Sequence, residues 1–147
     1  MVQDIYTAVI EPRFAETDMM GVVYHANYLI WCEVARTGLS KHLGYSYSKI
    51  HEDEVIWPVR RASLDYRRPA IFGNRIYVKT MIRTFSGVRL IYNYEFSDEE
   101  GNLLATATTE HGATNSDLRV INLYKVDPEM AQCLDCYVKI CKEQENK

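Results

Sequence analysis

Arg13-Phe-Ala-Glu-Thr-Asp-Met-Met-Gly-Val-Val-Tyr-His-Ala-Asn-Tyr-Leu-Ile-Trp-Cys-Glu-Val-Ala-Arg36 runs from a polar turn straight into an apolar helix, and this join organises the rest of the chain. From Asn27 to Leu43 the residues Tyr28, Trp31, Cys32, Ala35, Leu39, His42 and Leu43 recur every three or four positions, which is the period of a helix. Leu29, Ile30 and Val34 cover much of the opposite side of its first half. A helix apolar nearly all round is expected to be buried on several sides. Asn27 is placed to cap its start and Gly44 to end it.

On either side of this helix the period changes to that of strands. Ile5 to Phe14 is rich in β-formers, with Pro12 marking an edge or bulge near its end. Val55 to Arg67 is extended and interrupted by Pro58, and Gly73-Asn74 marks a turn. Ile76, Val78, Thr80 and Ile82 alternate with Tyr77, Lys79, Met81 and Arg83; Ser86-Gly87 predicts a two-residue hairpin turn. Val88, Leu90, Tyr92, Tyr94 and Phe96 then form the apolar side of a half-buried strand that ends at the turn Asp98 to Asn102. Leu103, Ala105, Ala107, Thr109, His111 and Ala113 make a face of mostly small side chains, against which something bulky is expected to pack. Leu118 to Leu123 reads as a last short strand. Asp127-Pro128-Glu129 opens a second helix, with Asp as cap and Pro at the first position, and Met130, Leu134, Tyr137, Val138 and Cys141 form its stripe. Strands in succession without intervening helices imply an antiparallel sheet. The expectation is one α+β domain over residues 1–147: a curved antiparallel sheet wrapped around one long central helix, with an extra helix at the C-terminus.

The 147 residues carry a formal net charge of −3, which argues against nucleic acid as a partner. Between Arg60 and Arg89, however, stand eight basic residues and one acid, Asp65. A basic zone inside an acidic protein fits a small anionic ligand. No apolar run is long enough to span a membrane, and Met1 to Tyr6 has no apolar signal core. Three of the four cysteines (Cys133, Cys136, Cys141) crowd the C-terminus, apart from Cys32; that is no disulfide framework, and a cytoplasmic chain with free thiols is expected.

The chemistry concentrates ahead of the central helix. Asp18 lies in a loop before Gly21, and the helix that follows offers free N–H groups and the positive end of its dipole. Such donors suit a polarised carbonyl or an oxyanion. A carboxylate beside them can attack that carbonyl or activate water, which is the minimal equipment for acyl transfer. Gly21 lets backbone come close to a ligand. An equally local reading makes Thr17 to Gly21 a turn and Asp18 its cap.

Thr17, Asp18, Gly21, Val22, Val23, Tyr24, His25, Asn27 and Tyr28, followed by Glu33, Ala35 and Arg36, resemble the signature of the 4-hydroxybenzoyl-CoA thioesterase family of hotdog proteins, including its Tol-Pal-associated branch. Tyr66-Arg67-Arg68-Pro69-Ala70, Gly73 and the Ile76 to Val78 strand resemble that family's second block, so the likeness spans roughly Ile5 to Leu123. The resemblance implies hydrolysis of acyl-CoA thioesters to free acid and CoA, with no metal or other cofactor. It implies that Asp18 is the catalytic carboxylate, as nucleophile or as base. Gly21, Val23, Tyr24, His25 and Asn27 would bind substrate or oxyanion, chiefly through backbone N–H groups around Tyr24 and His25. It implies a homodimer or homotetramer with composite sites and CoA at an interface. One departure is Thr114 to Arg119, where family members commonly carry Gly-Arg-Pro; it bears on the shape of the acyl pocket.

Other residues divide between chemistry and packing. His25 could orient water or simply pack. Glu33 and Arg36 suit an ion pair on one helix face. Tyr28, Trp31 and Trp57 could line an acyl channel, although aromatics fill cores by default. Two or three basic residues of the Arg60 to Arg89 zone could hold CoA phosphates, since strand residues alternate faces. His111 is expected to be a satisfied core histidine. Cys133-x-x-Cys136 falls inside a helix with no second ligand pair, which disfavours zinc or redox chemistry. A thioesterase for acyl carrier protein and a non-catalytic acyl-CoA binder are the alternatives; the second would have no need of Asp18.

Overall fold

The computed structural model describes residues 4–18, 21–44 and 55–145. The elements are β1 (Tyr6–Ile10), a 3-10 turn (Phe14–Glu16), α1 (Asn27–His42), β2 (Val59–Tyr66), β3 (Ile76–Phe85), β4 (Arg89–Ser97), β5 (Leu103–Gly112), a short α2 (Leu123–Val126) and α3 (Pro128–Glu145). The five strands form one antiparallel sheet in the order β1-β3-β4-β5-β2. Period-2 alternation puts Val78, Thr80 and Ile82, then Tyr92, Tyr94 and Phe96, then Ala105, Ala107, Thr109 and His111 on one buried face. Tyr28, Trp31, Cys32, Ala35 and Leu39 of α1 complete that core. Tyr28 meets Phe96 edge-on at 5.1 Å and Trp31 at 5.0 Å. This is the hotdog architecture, sheet around helix, with α3 added.

The opposite face of the sheet is a polar lattice. Lys79 pairs with Glu95 at 3.8 Å, Arg89 with Glu110 at 3.6 Å, and Thr108 donates to Asn93 at 3.1 Å. Exposed pairs of this kind contribute little stability each. Two members of the basic zone, Lys79 and Arg89, are thus directed away from the helix side.

Helix α3 closes an edge. β1 pairs with β3 only as far as Tyr6↔Thr80, so β3 runs on from Met81 to Phe85 without β1 beside it. Tyr137 takes over there: its hydroxyl accepts the Tyr6 N–H at 2.9 Å and donates to the Thr80 carbonyl at 2.6 Å. The start of α3 is as expected, with Asp127 capping the Met130 N–H at 3.1 Å.

Several expectations need correction. The cap of α1 is Ala26; Asn27 is the first helical residue, and its side chain reaches back to the Glu16 carbonyl at 2.8 Å. Gly44 does follow the helix at φ +92°. The first strand stops at Ile10, because Phe14–Glu16 turns over as a 3-10 helix. The hairpin after β3 is centred on Gly87-Val88, since the Ser86 N–H bonds the Arg89 carbonyl at 3.0 Å. Leu118 to Leu123 is no strand: Asn115 closes a turn by accepting from Asp117 and Arg119, and Asn122 caps α2. Leu29, Ile30 and Val34 are about half exposed in the single chain, so the far side of α1 is uncovered.

Candidate active site

The loop carrying Asp18 is a hairpin that runs directly into α1. Its legs pair rung by rung. Tyr24 N–H donates to the Glu16 carbonyl at 2.8 Å, Thr17 bridges Val23, and Asp18 N–H donates to the Val22 carbonyl at 2.7 Å. The second leg also pairs with the 70–72 segment, through Val23 N–H to Ala70 O at 2.9 Å and the Val22–Ile71 bridge. Gly21 sits at φ +76°, a conformation that favours glycine at this tip. Asp18 is exposed, and its Oδ1 accepts the Val22 N–H at 3.2 Å. The turn-closing role and a position facing solvent are therefore combined in one carboxylate.

The start of α1 narrows the available donors. Tyr24 N–H is committed to Glu16 and Val23 N–H to Ala70. Asn27, Tyr28 and Leu29 N–H bond the carbonyls of Tyr24, His25 and Ala26. Among the described residues, the N–H groups of His25 and Ala26 enter no hydrogen bond. They lie at the positive end of the helix, immediately after the leg that pairs with Asp18. Ala26 was not singled out in the sequence; a free N–H is a property of the turn and not of the side chain.

Beside this helix start a cleft of about 280 Å³ is lined by Val22, Val23, His25, Tyr28, Tyr66, Arg67, Arg68 and Pro69. The Tyr66 hydroxyl donates to the His25 carbonyl at 3.1 Å, tying the end of β2 to the helix start. Arg67 and Arg68 are exposed, and both their N–H groups bond Leu104 O. Two basic side chains thus stand next to the Asp18 hairpin. Trp31 is buried in the core against Tyr28 and Phe96, whereas Trp57 packs on Phe85 at 6.4 Å and lines a small void with Leu39, Leu43 and Leu134. Trp57 therefore lies towards the other end of α1, and only Tyr28 of the three aromatics reaches the cleft.

Arg36 does not pair with Glu33, which is exposed; its Nη1 donates to the Tyr94 hydroxyl at 3.0 Å. The chain continues inward from Tyr94 to Thr109 Oγ1 at 2.7 Å, to His111 Nε2 at 2.9 Å, and from Nδ1 to Trp57 O at 3.0 Å. Because Trp57 O only accepts, Nδ1 carries the proton and Nε2 accepts from Thr109. His111 is thus a satisfied, neutral core histidine. Burial pushes it down to about 4 from an ordinary 6.5, with the Trp57 carbonyl opposing and Arg36 reinforcing that shift. The unfolded chain binds this proton between pH 6.5 and 4 while the folded chain does not, so stability is complete above the unfolded value and lost as pH falls towards the folded one. Urea unfolding at pH 7 and pH 4.5 should show roughly 2 kcal/mol of His111-dependent loss. A His111→Gln variant with an undiminished pH slope would remove His111 as its source.

The cysteines are structural in placement. Cys32 is buried and its thiol pushed up to about 12 by burial. Cys133 donates to the Leu43 carbonyl at 3.6 Å and is likewise raised by burial, and no third metal ligand gathers beside it and Cys136 among the described residues.

A curved antiparallel sheet wrapped around one long helix is the architecture of the hotdog proteins. Residues 12–134 match the model of the thioesterase-like superfamily, and the chain belongs to that family. It is 43% identical over 102 residues to YneP of Bacillus subtilis (strain 168), covering 69% of this chain and 74% of that one. It is 31% identical over 94 residues, 64% of this chain and 70% of the relative, to the acyl-CoA thioester hydrolase YbgC of Escherichia coli O6:H1. The crystal structure of a DHNA-CoA thioesterase from Staphylococcus aureus superposes with a TM-score of 0.87 at 33% identity, over 96% of this chain and 94% of that one. The resemblance read from Thr17 to Arg36 is borne out at the level of family, fold and class: this chain is a thioester hydrolase.

Proposed function

We propose that the chain hydrolyses acyl-CoA thioesters to free acid and CoA, with Asp18 as the acting carboxylate. The observation that supports this is the hairpin pairing Glu16 to Asp18 against Val22 to Tyr24, which sets exposed Asp18 two rungs from Tyr24, the residue ahead of the His25 and Ala26 N–H groups that are unpaired among the described residues. A thioester carbonyl received by those donors gains electrophilicity, and charge developing on its oxygen is met by fixed dipoles. Asp18 then attacks the carbonyl carbon itself or takes the proton of an attacking water, and CoA leaves as thiol. Val23, Tyr24 and Asn27 build the frame through their bonds to Ala70 and Glu16; Gly21 shapes the tip. His25 and Tyr28 line the cleft.

Arg67 and Arg68 are the members of the basic zone placed to meet CoA phosphates. The Arg67→Ala/Arg68→Ala double variant should raise KM for an acyl-CoA about tenfold and leave KM for the matching acyl-pantetheine, which lacks the nucleotide phosphates, within about twofold. Equal effects on both substrates would remove the arginines from this role. A chain that prefers acyl carrier protein would turn over the acylated carrier faster than any acyl-CoA in the same assay.

The assembly proposed is a homodimer that pairs again to a tetramer. β2 ends the strand order, pairs as a strand with β5 alone among the described residues, and is exposed along nearly its whole length, while Leu29, Ile30 and Val34 leave an apolar face on α1. Cytoplasmic residence fits the free thiols.

A further inference from the structure

We infer that Glu16 is a positioning residue, a carboxylate that fixes the hairpin carrying Asp18 to the first turns of α1 without touching substrate. The inference rests on the proposed role of Asp18. Glu16 is buried, only 6% exposed, between exposed Ala15 and half-buried Thr17. Its Oε1 accepts the Arg13 N–H at 2.8 Å and the Arg13 Nε at 3.4 Å; its Oε2 accepts Trp31 Nε1 at 2.9 Å. Its own carbonyl accepts Tyr24 N–H and Asn27 Nδ2, both at 2.8 Å. One residue therefore binds the hairpin to α1 at two levels: through the main chain at the helix start, and through the carboxylate at Trp31, one turn further in. Asp18 stands two residues away on the same leg.

The carboxylate is suited to this task by charge as well as reach. Burial pushes its pKa up, but the Arg13 N–H, the Trp31 N–H and the Arg13 guanidinium outweigh it, and the group is held below the ordinary carboxylate range. An ionised acceptor makes stronger bonds to these donors than a neutral amide would. A glutamine here retains size and one acceptor oxygen but turns an NH₂ towards either Arg13 or Trp31, donor against donor. Glu16 is kept from substrate by its burial, with both carboxylate oxygens taken by Arg13 and Trp31, whereas Asp18 is exposed. Losing the clamp leaves the groups present but their spacing loose, and acyl transfer is sensitive to displacements of about 1 Å.

The test is steady-state kinetics on Glu16→Gln, Trp31→Phe and the double variant, measured well below their melting temperatures with any acyl-CoA the wild type hydrolyses. Glu16→Gln should lower kcat by about 10-fold to 50-fold with KM within about threefold. Trp31→Phe removes the same bond from the other side and should reproduce the kcat loss, and the double variant should lose no more than the worse single one. A Glu16→Gln enzyme that melts earlier but has wild-type kcat, or losses that multiply in the double variant, would overturn the inference. Asp18→Asn run in parallel separates the two readings: if it stays active, the Asp18 assignment fails, whatever Glu16 does. If Asp18→Asn is inactive and Glu16→Gln is not, only the positioning role is lost.

Discussion

Asp18→Asn should lower kcat/KM for the best acyl-CoA by at least about 100-fold while the melting temperature stays within about 2 °C of wild type. The two halves of this expectation come from the same geometry. Asn presents a carbonyl oxygen where Asp18 presents Oδ1, so the Val22 N–H bond at 3.2 Å is kept, and the main-chain rungs of the hairpin do not involve the side chain. What is lost is the negative charge needed to attack a carbonyl or to take a proton from water, and removal of an acid–base group typically costs two to four orders of magnitude. Release of CoA thiol across acetyl, palmitoyl and benzoyl thioesters provides the measurement. Should the variant keep more than a tenth of the wild-type rate, Asp18 closes a turn and another group does the chemistry. Should neither protein release thiol while both bind acyl-CoA, the chain is a binder.

The largest effect on stability is expected at Tyr137→Ala. Tyr137 is 1% exposed, and its hydroxyl serves the Tyr6 N–H and the Thr80 carbonyl together, just where β1 stops covering β3. Truncating a buried aromatic side chain costs about 3–5 kcal/mol, and stranding two backbone groups adds to that. Against a total of roughly 5–15 kcal/mol this is a large share. A fall in melting temperature of at least about 10 °C is expected by circular dichroism. Tyr137→Phe, which keeps the ring, should fall in between. If the alanine variant melts within a few degrees of wild type, α3 is not what protects the β3 edge.

The sequence made the elements legible wherever a period ran long. The alternation over Ile76 to Phe96 and the three-to-four spacing from Tyr28 to Leu43 are consequences of burying one face, and the structure follows them closely. It was less informative where a side chain chooses between a near and a distant partner. Asn27 bonds a carbonyl eleven residues back instead of capping its own helix. Arg36 crosses to Tyr94 on β4 although Glu33 lies one turn away on the same helix. Trp57 is apolar and suits a channel, yet packs beside Leu39 and Leu43 at the C-terminal end of α1, away from the Asp18 hairpin. Leu118 to Leu123 has a strand's composition, but Asn115 and Asn122 each close local bonds that end extension. At the site, residue types pointed to Asp18 and the helix start. Which N–H groups remain open, and that Glu16 occupies Tyr24, are facts of pairing that no single residue type announces.

The polar chain from Arg36 through Tyr94 and Thr109 to His111 bears on how α1 is oriented. Apolar contacts are less directional than hydrogen bonds, so the Tyr, Trp, Cys, Ala and Leu side chains of α1 specify its rotation less sharply than its polar bonds do. Directional bonds are not forgiving, because a roll of α1 would break the first link and take the charged donor from the Tyr94 hydroxyl, while the Tyr94–Thr109–His111 links between the strands would stay in place. Arg36 therefore acts as a key on a shaft. Together with the Glu16 bonds to Asn27 and Trp31 it holds the angle of the helix, here from the third turn, and with that angle the direction in which the first turn points its two open N–H groups.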